Sequence, residues 1–292
     1  MSDDEEAWAH YQTEIREFDA VLEHAKAVSD SLAGLTAPSR SAGYGEQIFV
    51  KLLAHCIILR RLAPDPQRKT SNEFWDVPSL SAVARCAIEA HDAFEYIAGN
   101  AISDEERDLR LVLWEFHDKT RRLRMLEAIG STDPRNDGIR DEAAQLETRL
   151  KSHVLYGNLR LDIRRKIEEG DPPAFHLSQR ARCSASGVNF DYYNAVTMQL
   201  SQHVHTLPFS VHQLFEFRAG TPDALRLMTL PLQFVLPFLV RVTESMSCMF
   251  PGKTPLPQAS TARLMTMWRE ISTHGVKNPR FLGASDSRSP ST

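Results

Sequence analysis

Residues 79–100 read SLSAVARCAIEAHDAFEYIAGN, and this stretch decides the fold class. Apolar side chains surround most of it, and its polar side chains fall mainly in one strip: Arg85, Glu89, Asp92 and Tyr96. A helix that is apolar nearly all round belongs in a protein interior, whereas an Arg belongs in water or beside a partner. The sequence therefore predicts the central helix of an all-helical protein, capped by Ser79, with an unusual polar strip along it.

Helical periodicity continues towards the N-terminus. From Trp8 through Tyr11 and Phe18 to Leu32, the apolar residues of 5–33 recur at steps of three and four. This spacing predicts a helix that packs along its whole length. After a loop at 37–45, a second and mostly buried helix is predicted over 46–62, and 63–78 is predicted to be a long connection.

Ser103 and Glu106 form a capping-box pattern at the start of another helix, which runs to about Ile129. A turn at 130–138 leads into a long helix that ends near Glu169. Since a short turn joins the two helices, residues 103–170 are predicted to form a long antiparallel helical hairpin.

The C-terminal part of the chain is predicted to be irregular over 174–188 and helical over 189–205, 208–218, 222–250 and 257–274. The run over 222–250 is strongly apolar, but its apolar centre is too short to span a membrane and contains Pro231 and Pro237. It is expected to be a bent helix inside the protein. The predicted fold is all-α: a single bundle of about eight to ten helices over 1–275, followed by a disordered tail over 276–292.

Composition excludes several classes of function. A net charge of −4 argues against a dominant nucleic-acid-binding surface. The four cysteines are scattered and include no CxxC pair, so neither a zinc ribbon nor a disulfide framework is indicated, and a reducing cytoplasm is the expected location. No phosphate-binding loop, HExxH or GxSxG motif is present, so neither a metal nor a cofactor is expected.

Two polar seams are candidates for a functional site. Arg85 and Glu89 lie four residues apart on the central helix, and Ser201 and His205 lie four residues apart near the end of the helix over 189–205. Each seam is typical of a solvated helix face, but each also runs beside an apolar stripe. We expect the two helices to be neighbours, with Arg85 and Glu89 within reach of Ser201 or His205.

The same residues carry a family resemblance. The pattern R-x-x-x-E at Arg85 and Glu89, followed by Y-x6-L-S-x-x-V-H from Tyr193 to His205, resembles a group of bacterial all-helical domains of unknown function over residues 45–250. The resemblance implies a helical fold and shared polar residues, but no reaction.

A weaker relation is to the HEPN group of helical ribonucleases, whose motif is an Arg followed by a His after four to six residues. Arg85 with His91, Arg110 with His117, and Arg269 with His274 fit this spacing, about as many pairs as chance supplies in this chain. Arg110 and His117 come nearest to sharing a helix face, so they are the second candidate pair. His91 itself is expected to be a hydrogen-bonded core residue.

The sequence thus favours an interaction or accessory protein with a polar site at Arg85, Glu89, Ser201 and His205. Its expected partners are a second copy of the chain or another protein, and no membrane. The alternative is a metal-independent HEPN-type ribonuclease, for which RNA would be the partner.

Overall fold

A computed structural model describes residues 2–67 and 75–275. Within these ranges the chain is an all-α multi-helix bundle without a β-strand, which confirms the predicted fold class. The tail predicted over 276–292, and part of the connection predicted over 63–78, lie outside the described residues. The helices are α1 (Asp3–Leu32), α2 (Arg40–Leu62), α3 (Val77–Phe94), α4 (Asp104–Ala128), α5 (Arg135–Lys151), α6 (Leu161–Glu168), α7 (Gln179–Ser186), α8 (Phe190–Val204), α9 (Pro208–Glu216), α10 (Pro222–Met249) and α11 (Ala259–His274).

The chain divides into two compact units. The first unit comprises residues 1–95 and 183–292, and the second comprises Tyr96–Arg182. Helices α1–α3 and α8–α11 belong to the first unit, and α4–α6 belong to the second. The sequence predicted one domain over 1–275. This division into compact units does not test that expectation, which stays a prediction.

The interior of the first unit is built around α10. This helix packs against α1, α2, α3 and α11, and its apolar residues from Leu232 to Met246 are largely buried. The helix continues through Pro231 and Pro237, although each proline removes one backbone hydrogen bond to the preceding turn. The run is therefore a core helix, as predicted.

The seam of α1 is buried along its length, as its periodicity predicted. Tyr11, Phe18 and Ala25 are fully buried, and the helix packs against α10. At its start, Ser2 and Glu5 form a capping box, and four acidic residues in the first turn complement the helix dipole.

Helices α2 and α3 begin earlier than the sequence suggested. The loop predicted at 37–45 is wrong from Arg40 onward, because the Ser39 hydroxyl caps α2 by accepting from the Ala42 N–H. Likewise Asp76, not Ser79, caps α3, and its carboxylate accepts from the Ser79 N–H at 3.0 Å. Helix α3 then changes to one π-helical turn over Glu95–Gly99.

The second unit has a core of its own between α4 and the segments that follow it. Ser103 caps α4 as predicted, but the Glu106 carboxylate accepts from Arg110 instead of completing the capping box. The long second helix predicted to Glu169 is wrong: α5 ends at Lys151, a 3₁₀ turn occupies Tyr156–Asn158, and α6 begins at Leu161. The break lets Leu159 and the apolar face of α6 join the core cluster around α4.

Residues 174–188, predicted to be irregular, contain helix α7. Ser178 stabilises its start, because the Ser178 hydroxyl accepts from the Ala181 N–H at 3.3 Å. Cys183 is the buried residue of this short helix. Its apolar content is too small to show a helical period in the sequence.

Candidate functional site: a groove between helices α8, α9 and α10

The structure does not bring the four predicted site residues together. Arg85 Nε lies 3.0 Å from Glu89 Oε1 on α3; the Glu89 side chain is 57% exposed, whereas Arg85 is half-buried and its Nη1 is buried without a hydrogen-bond partner among the described residues. The Ser201 hydroxyl donates to the Thr197 carbonyl of its own helix, and His205 is exposed. In the described part of the chain, no hydrogen bond or ion pair joins Arg85 or Glu89 to Ser201 or His205. The two helices are neighbours, as expected, but these polar seams do not meet.

Helices α3 and α8 are joined instead by a buried hydrogen bond. The Tyr193 hydroxyl donates to Asp92 Oδ2 at 2.7 Å, and both side chains are buried. Burial and the neighbouring Asp92 carboxylate raise the pKa of Tyr193 well above its usual range. Helix α8 forms one wall of a groove between α8, α9 and α10, so this bond holds that wall against α3.

Glu95, the residue that follows α3, is a buried acidic side chain. Burial raises the pKa of its carboxyl, while His91 and Arg241 act in the opposite direction. Arg241 itself donates four hydrogen bonds, to the Ser272 hydroxyl at 2.7 Å and to the Ser186 carbonyl, the Gly187 carbonyl and the Thr273 hydroxyl. Arg241 therefore ties the ends of α7 and α11 to α10.

His91 is a core residue, as predicted, but its expected hydrogen bond is missing. The ring packs edge-on against Phe238 with centroids 4.9 Å apart, and Nδ1 lies 3.5 Å from Asp92 Oδ1. Within residues 2–67 and 75–275, neither ring nitrogen makes a hydrogen bond. Aromatic packing and the proximity of Asp92 replace the expected bond.

Between α8, α9 and α10 the first unit has a groove of about 660 Å³, well within the size range of small-molecule sites. Helix spacing explains how three separate stretches of sequence line it. On α10, Leu227, Leu230 and Phe234 recur at steps of three and four, and on α9, Phe209 and Gln213 lie one turn apart. The remaining lining residues are Asn189, Asp191, Tyr192, Ala195, Val196 and Gln199 of the α8 segment, and His274 and Gly275 at the end of α11.

The groove lining is mostly apolar, and its polar side chains are Asn189, Asp191, Tyr192, Gln199, Gln213 and His274. At the start of α8, the Asn189 N–H donates to the Ser272 carbonyl of α11 at 2.8 Å, so Asn189 and His274 come from segments that are in contact. Gln199 lies ten residues further along α8, roughly 15 Å away. Gly275 has φ +73°, and a Cβ there would stand 3.7 Å from the Asn189 side chain, so glycine suits this end of the groove.

Tyr192 forms the wall between the groove and the buried polar groups. Its ring stacks nearly parallel to Phe238, with centroids 6.4 Å apart, and Phe238 in turn contacts His91 and Tyr193. Burial raises the pKa of Tyr192 above its usual range, so its hydroxyl stays protonated and can donate a hydrogen bond.

Sequence reasoning missed this groove, although a signal was present. The apolar stripe beside the Ser201 and His205 seam consists of Tyr193, Val196, Leu200 and Val204, of which the first three are buried and Val204 is exposed. A second stripe on α8, Tyr192, Ala195 and Gln199, follows helical spacing but mixes apolar and polar residues. Only the positions of α9 and α10 turn that stripe into a groove.

In the second unit, Arg110 and His117 are engaged in separate contacts. Arg110 is 3% exposed, donates to Glu106 Oε1 at 2.8 Å and lies 4.6 Å above the Tyr96 ring. His117 Nδ1 lies 2.8 Å from the Pro172 carbonyl oxygen. No hydrogen bond joins Arg110 to His117 in the described residues, and the buried Arg110 presents no open guanidinium to a phosphate.

A second polar chain surrounds Arg110. The Tyr96 hydroxyl lies 2.7 Å from His176 Nδ1, and His176 Nε2 lies 3.3 Å from Glu106 Oε1. Burial lowers the pKa of His176, although Glu106 acts in the opposite direction. The side chains of Tyr96, His176, Glu106 and Arg110 therefore supply polar partners to one another inside the second unit.

Each of the four cations in the basic run at the end of α4 is paired with a carboxylate, and two of them share one. Arg121 and Arg124 both pair with Asp171, Arg122 pairs with Asp118, and Lys119 pairs with Glu142. The run is therefore a solvated, charge-paired helix face rather than an open cationic surface.

Two further properties of the described residues bear on the class of site. Among the described residues, no group of three or more His, Cys, Asp or Glu side chains is placed to hold a metal ion. Two helices there, α2 and α10, are long and apolar enough to cross a membrane; 67% of the apolar window of α10 is buried inside the protein, against 39% for α2. No protein-family model matches the chain, and no curated protein or solved structure gives a significant match.

Proposed function

We propose that this chain is a binding protein whose groove between α8, α9 and α10 holds a small amphipathic molecule. The supporting observation is the groove itself, which has a volume of about 660 Å³ and a mostly apolar lining that also presents hydrogen-bonding side chains. Sites of this kind bind through apolar contact and use a few polar groups to fix orientation. This proposal agrees with the sequence prediction of an interaction or accessory protein. It places the binding site in the groove instead of at Arg85, Glu89, Ser201 and His205.

The lining residues favour a ligand with an apolar body and an uncharged polar group. Val196, Leu230 and Phe234 offer apolar surface, and Tyr192 offers a hydroxyl group. Asn189 offers its amide N–H groups, because its Oδ1 already accepts from the Tyr192 N–H at 2.9 Å. Asp191 lines the same end as Asn189 and disfavours an anionic head group there. The proposed ligand class is therefore a neutral molecule up to roughly 15 Å long, the span of the α8 wall.

The test uses Prodan, an uncharged naphthalene dye whose emission shifts to the blue in apolar sites. Ala195 is exposed and lines the groove, so Ala195→Trp should fill it without disturbing the core. Asn194→Trp is the matched control, because Asn194 is also exposed, adjacent on α8, and outside the groove lining. We expect Ala195→Trp to weaken Prodan binding at least tenfold and Asn194→Trp to leave it unchanged. Equal affinity in the two variants would refute the proposal.

The ribonuclease alternative stays a prediction that no observation here favours. Its better pair, Arg110 and His117, is engaged in separate contacts, and the basic run on α4 is paired with carboxylates. Degradation of total RNA by purified protein in EDTA, lost in His117→Ala, would revive it.

We also propose a cytoplasmic location without membrane insertion. The support is the burial of α10 against α1, α2, α3 and α11, which occupies the apolar surface that lipid would otherwise cover. Cell fractionation with an antibody to the chain tests this proposal.

A further inference from the structure

Helix α9 forms one wall of the groove but has few anchors in the first unit. Of its described side chains only Ser210 is buried, and Phe209 is 45% exposed although it lines the groove. Leu214 and Phe215 are exposed as well. Among the described helices, α9 packs mainly against α8. Because buried apolar surface holds a helix in place, α9 is held more weakly than α8 or α10.

Two cavities border α9, so it has room to move. One is the groove, and the other is an adjoining cavity of about 370 Å³ between Phe217 and the first turns of α10. Gln213 of α9 and Leu227 and Leu230 of α10 line both cavities. A close-packed interior resists movement of its elements, whereas α9 borders two voids and can shift without displacing a packed core.

The backbone has a left-handed conformation in both segments that connect α9 to its neighbours. Thr206, between α8 and α9, has φ +51°, and Gly220, between α9 and α10, has φ +87°. Among the described residues, Thr206 is the one residue other than glycine with a positive φ, and for a β-branched side chain this conformation is strained. Strained backbone and glycine at the ends of an element are typical of switch regions and hinges.

A polar pair lies across the contact between α8 and α9. His203 of α8 is buried, which lowers its pKa, and Gln213 is near enough to act in the opposite direction. His203 Nδ1 and Gln213 Oε1 are both buried, and neither completes a hydrogen bond within the described residues. A buried donor and acceptor gain free energy when they pair, so a small shift of α9 towards α8 should join them.

We propose that α9 is a lid on the groove, hinged at Thr206 and Gly220. The contact between His203 and Gln213 holds this lid shut. The inference rests on the proposed function, because it supplies the route by which an amphipathic molecule passes α9 and reaches the apolar lining. When the lid opens, Phe209 and Gln213 move off the groove and its lining on α10 becomes accessible. When the lid closes over a ligand, Phe209 covers the apolar body.

Thiol labelling of Ser210→Cys tests whether α9 opens on its own. Ser210 is buried and outside the groove lining, and the substitution exchanges one oxygen for sulfur. The background is Cys86→Ser with Cys248→Ser, because these cysteines are exposed; the buried Cys56 and Cys183 remain as reporters of global unfolding. With dithiobisnitrobenzoate as the reagent, the new thiol should react at least about a hundredfold faster than the two buried native thiols. Equal rates would overturn the proposal, since α9 would then open only when the whole unit unfolds.

The variant His203→Phe tests the contact that holds the lid shut. It keeps a ring, removes the ring nitrogens, and lies outside the groove lining. It should speed the labelling of Ser210→Cys about fivefold, the factor expected for loss of one hydrogen bond. His203→Asn, whose amide can stand in for Nδ1, should leave the rate nearly unchanged. His205→Phe is the matched control, because His205 is exposed on the same segment. Equal rates in His203→Phe and His205→Phe would show that this contact does not hold the lid.

Saturating Prodan separates the lid from the proposed function. If the dye binds, as read from its blue-shifted emission, closure over it should slow the labelling of Ser210→Cys at least about tenfold. Binding without slower labelling would overturn the lid and leave the groove as the binding site. If the dye does not bind, the proposed function fails, and the labelling rates of the dye-free protein decide whether α9 opens alone.

Discussion

Removing one hydroxyl group should measure how firmly the groove wall is held. Tyr193 donates to Asp92 Oδ2 at 2.7 Å, and this bond joins α8 to α3. In Tyr193→Phe the ring remains, so its apolar contacts, including the edge-on contact with Phe238, can persist. The variant therefore isolates the hydrogen bond from the packing.

The expected cost follows from burial and charge. Both side chains are buried, so water cannot replace the lost donor. A hydrogen bond to a charged group contributes about 1.5–3 kcal/mol to stability. Asp92 makes another interaction besides this bond, so its carboxylate is not left entirely alone. We therefore expect Tyr193→Phe to lower the free energy of unfolding by about 2 kcal/mol.

The assay is urea unfolding followed by far-UV circular dichroism, with Tyr156→Phe as the control. Tyr156 donates to Glu168 at 3.4 Å on the surface, so losing its hydroxyl should cost less than about 0.5 kcal/mol. A double-mutant cycle of Tyr193→Phe with Asp92→Asn should show positive coupling between the two sites. A loss below about 0.5 kcal/mol for Tyr193→Phe, or additive effects in the cycle, would refute the reasoning.

Three further outcomes are expected. Phe18→Ala should cost about 3–5 kcal/mol in urea unfolding, because Phe18 is fully buried on the α1 seam, and a cost below about 1 kcal/mol would show that α1 is peripheral. Burial raises the pKa of Glu95, so ionisation of its carboxyl destabilises the wild-type fold as pH rises above 4.5. Glu95→Gln removes this ionisation, so in urea unfolding at rising pH the variant should become more stable relative to wild type. The protein should stay in the supernatant after alkaline carbonate washing of membranes, since α10 is a core helix, and retention in the pellet would contradict this.

The fold class could be predicted from sequence because long apolar periods survive without tertiary context. The α1 seam and the apolar run of α10 were both assigned correctly. Helix boundaries depend on single capping hydrogen bonds, and the sequence pattern cannot show which of several possible cap residues makes the bond. Ser79 is a plausible cap, but Asp76 makes the bond, and the glycines at 43 and 45 hid the first turn of α2.

The site could not be predicted, because a groove is a property of three helices rather than one. Arg85 and Glu89 lie at the spacing of a surface ion pair, and they form one. The polar residue of α3 that matters for α8 is Asp92, one turn further along, whose role depends on Tyr193 facing it. Similarly, Ala195 and Gln199 show their place in the groove only once α9 and α10 are positioned.

The most direct test of the central claim is to locate a bound ligand by methyl NMR. Protein with labelled Ile, Leu and Val methyl groups is titrated with Prodan. The groove predicts shift changes at Val196, Leu227 and Leu230, and none at Leu113 and Ile163 in the core of the second unit. Changes centred on the second unit, or no changes at saturating dye, would contradict the assignment of the groove as a binding site.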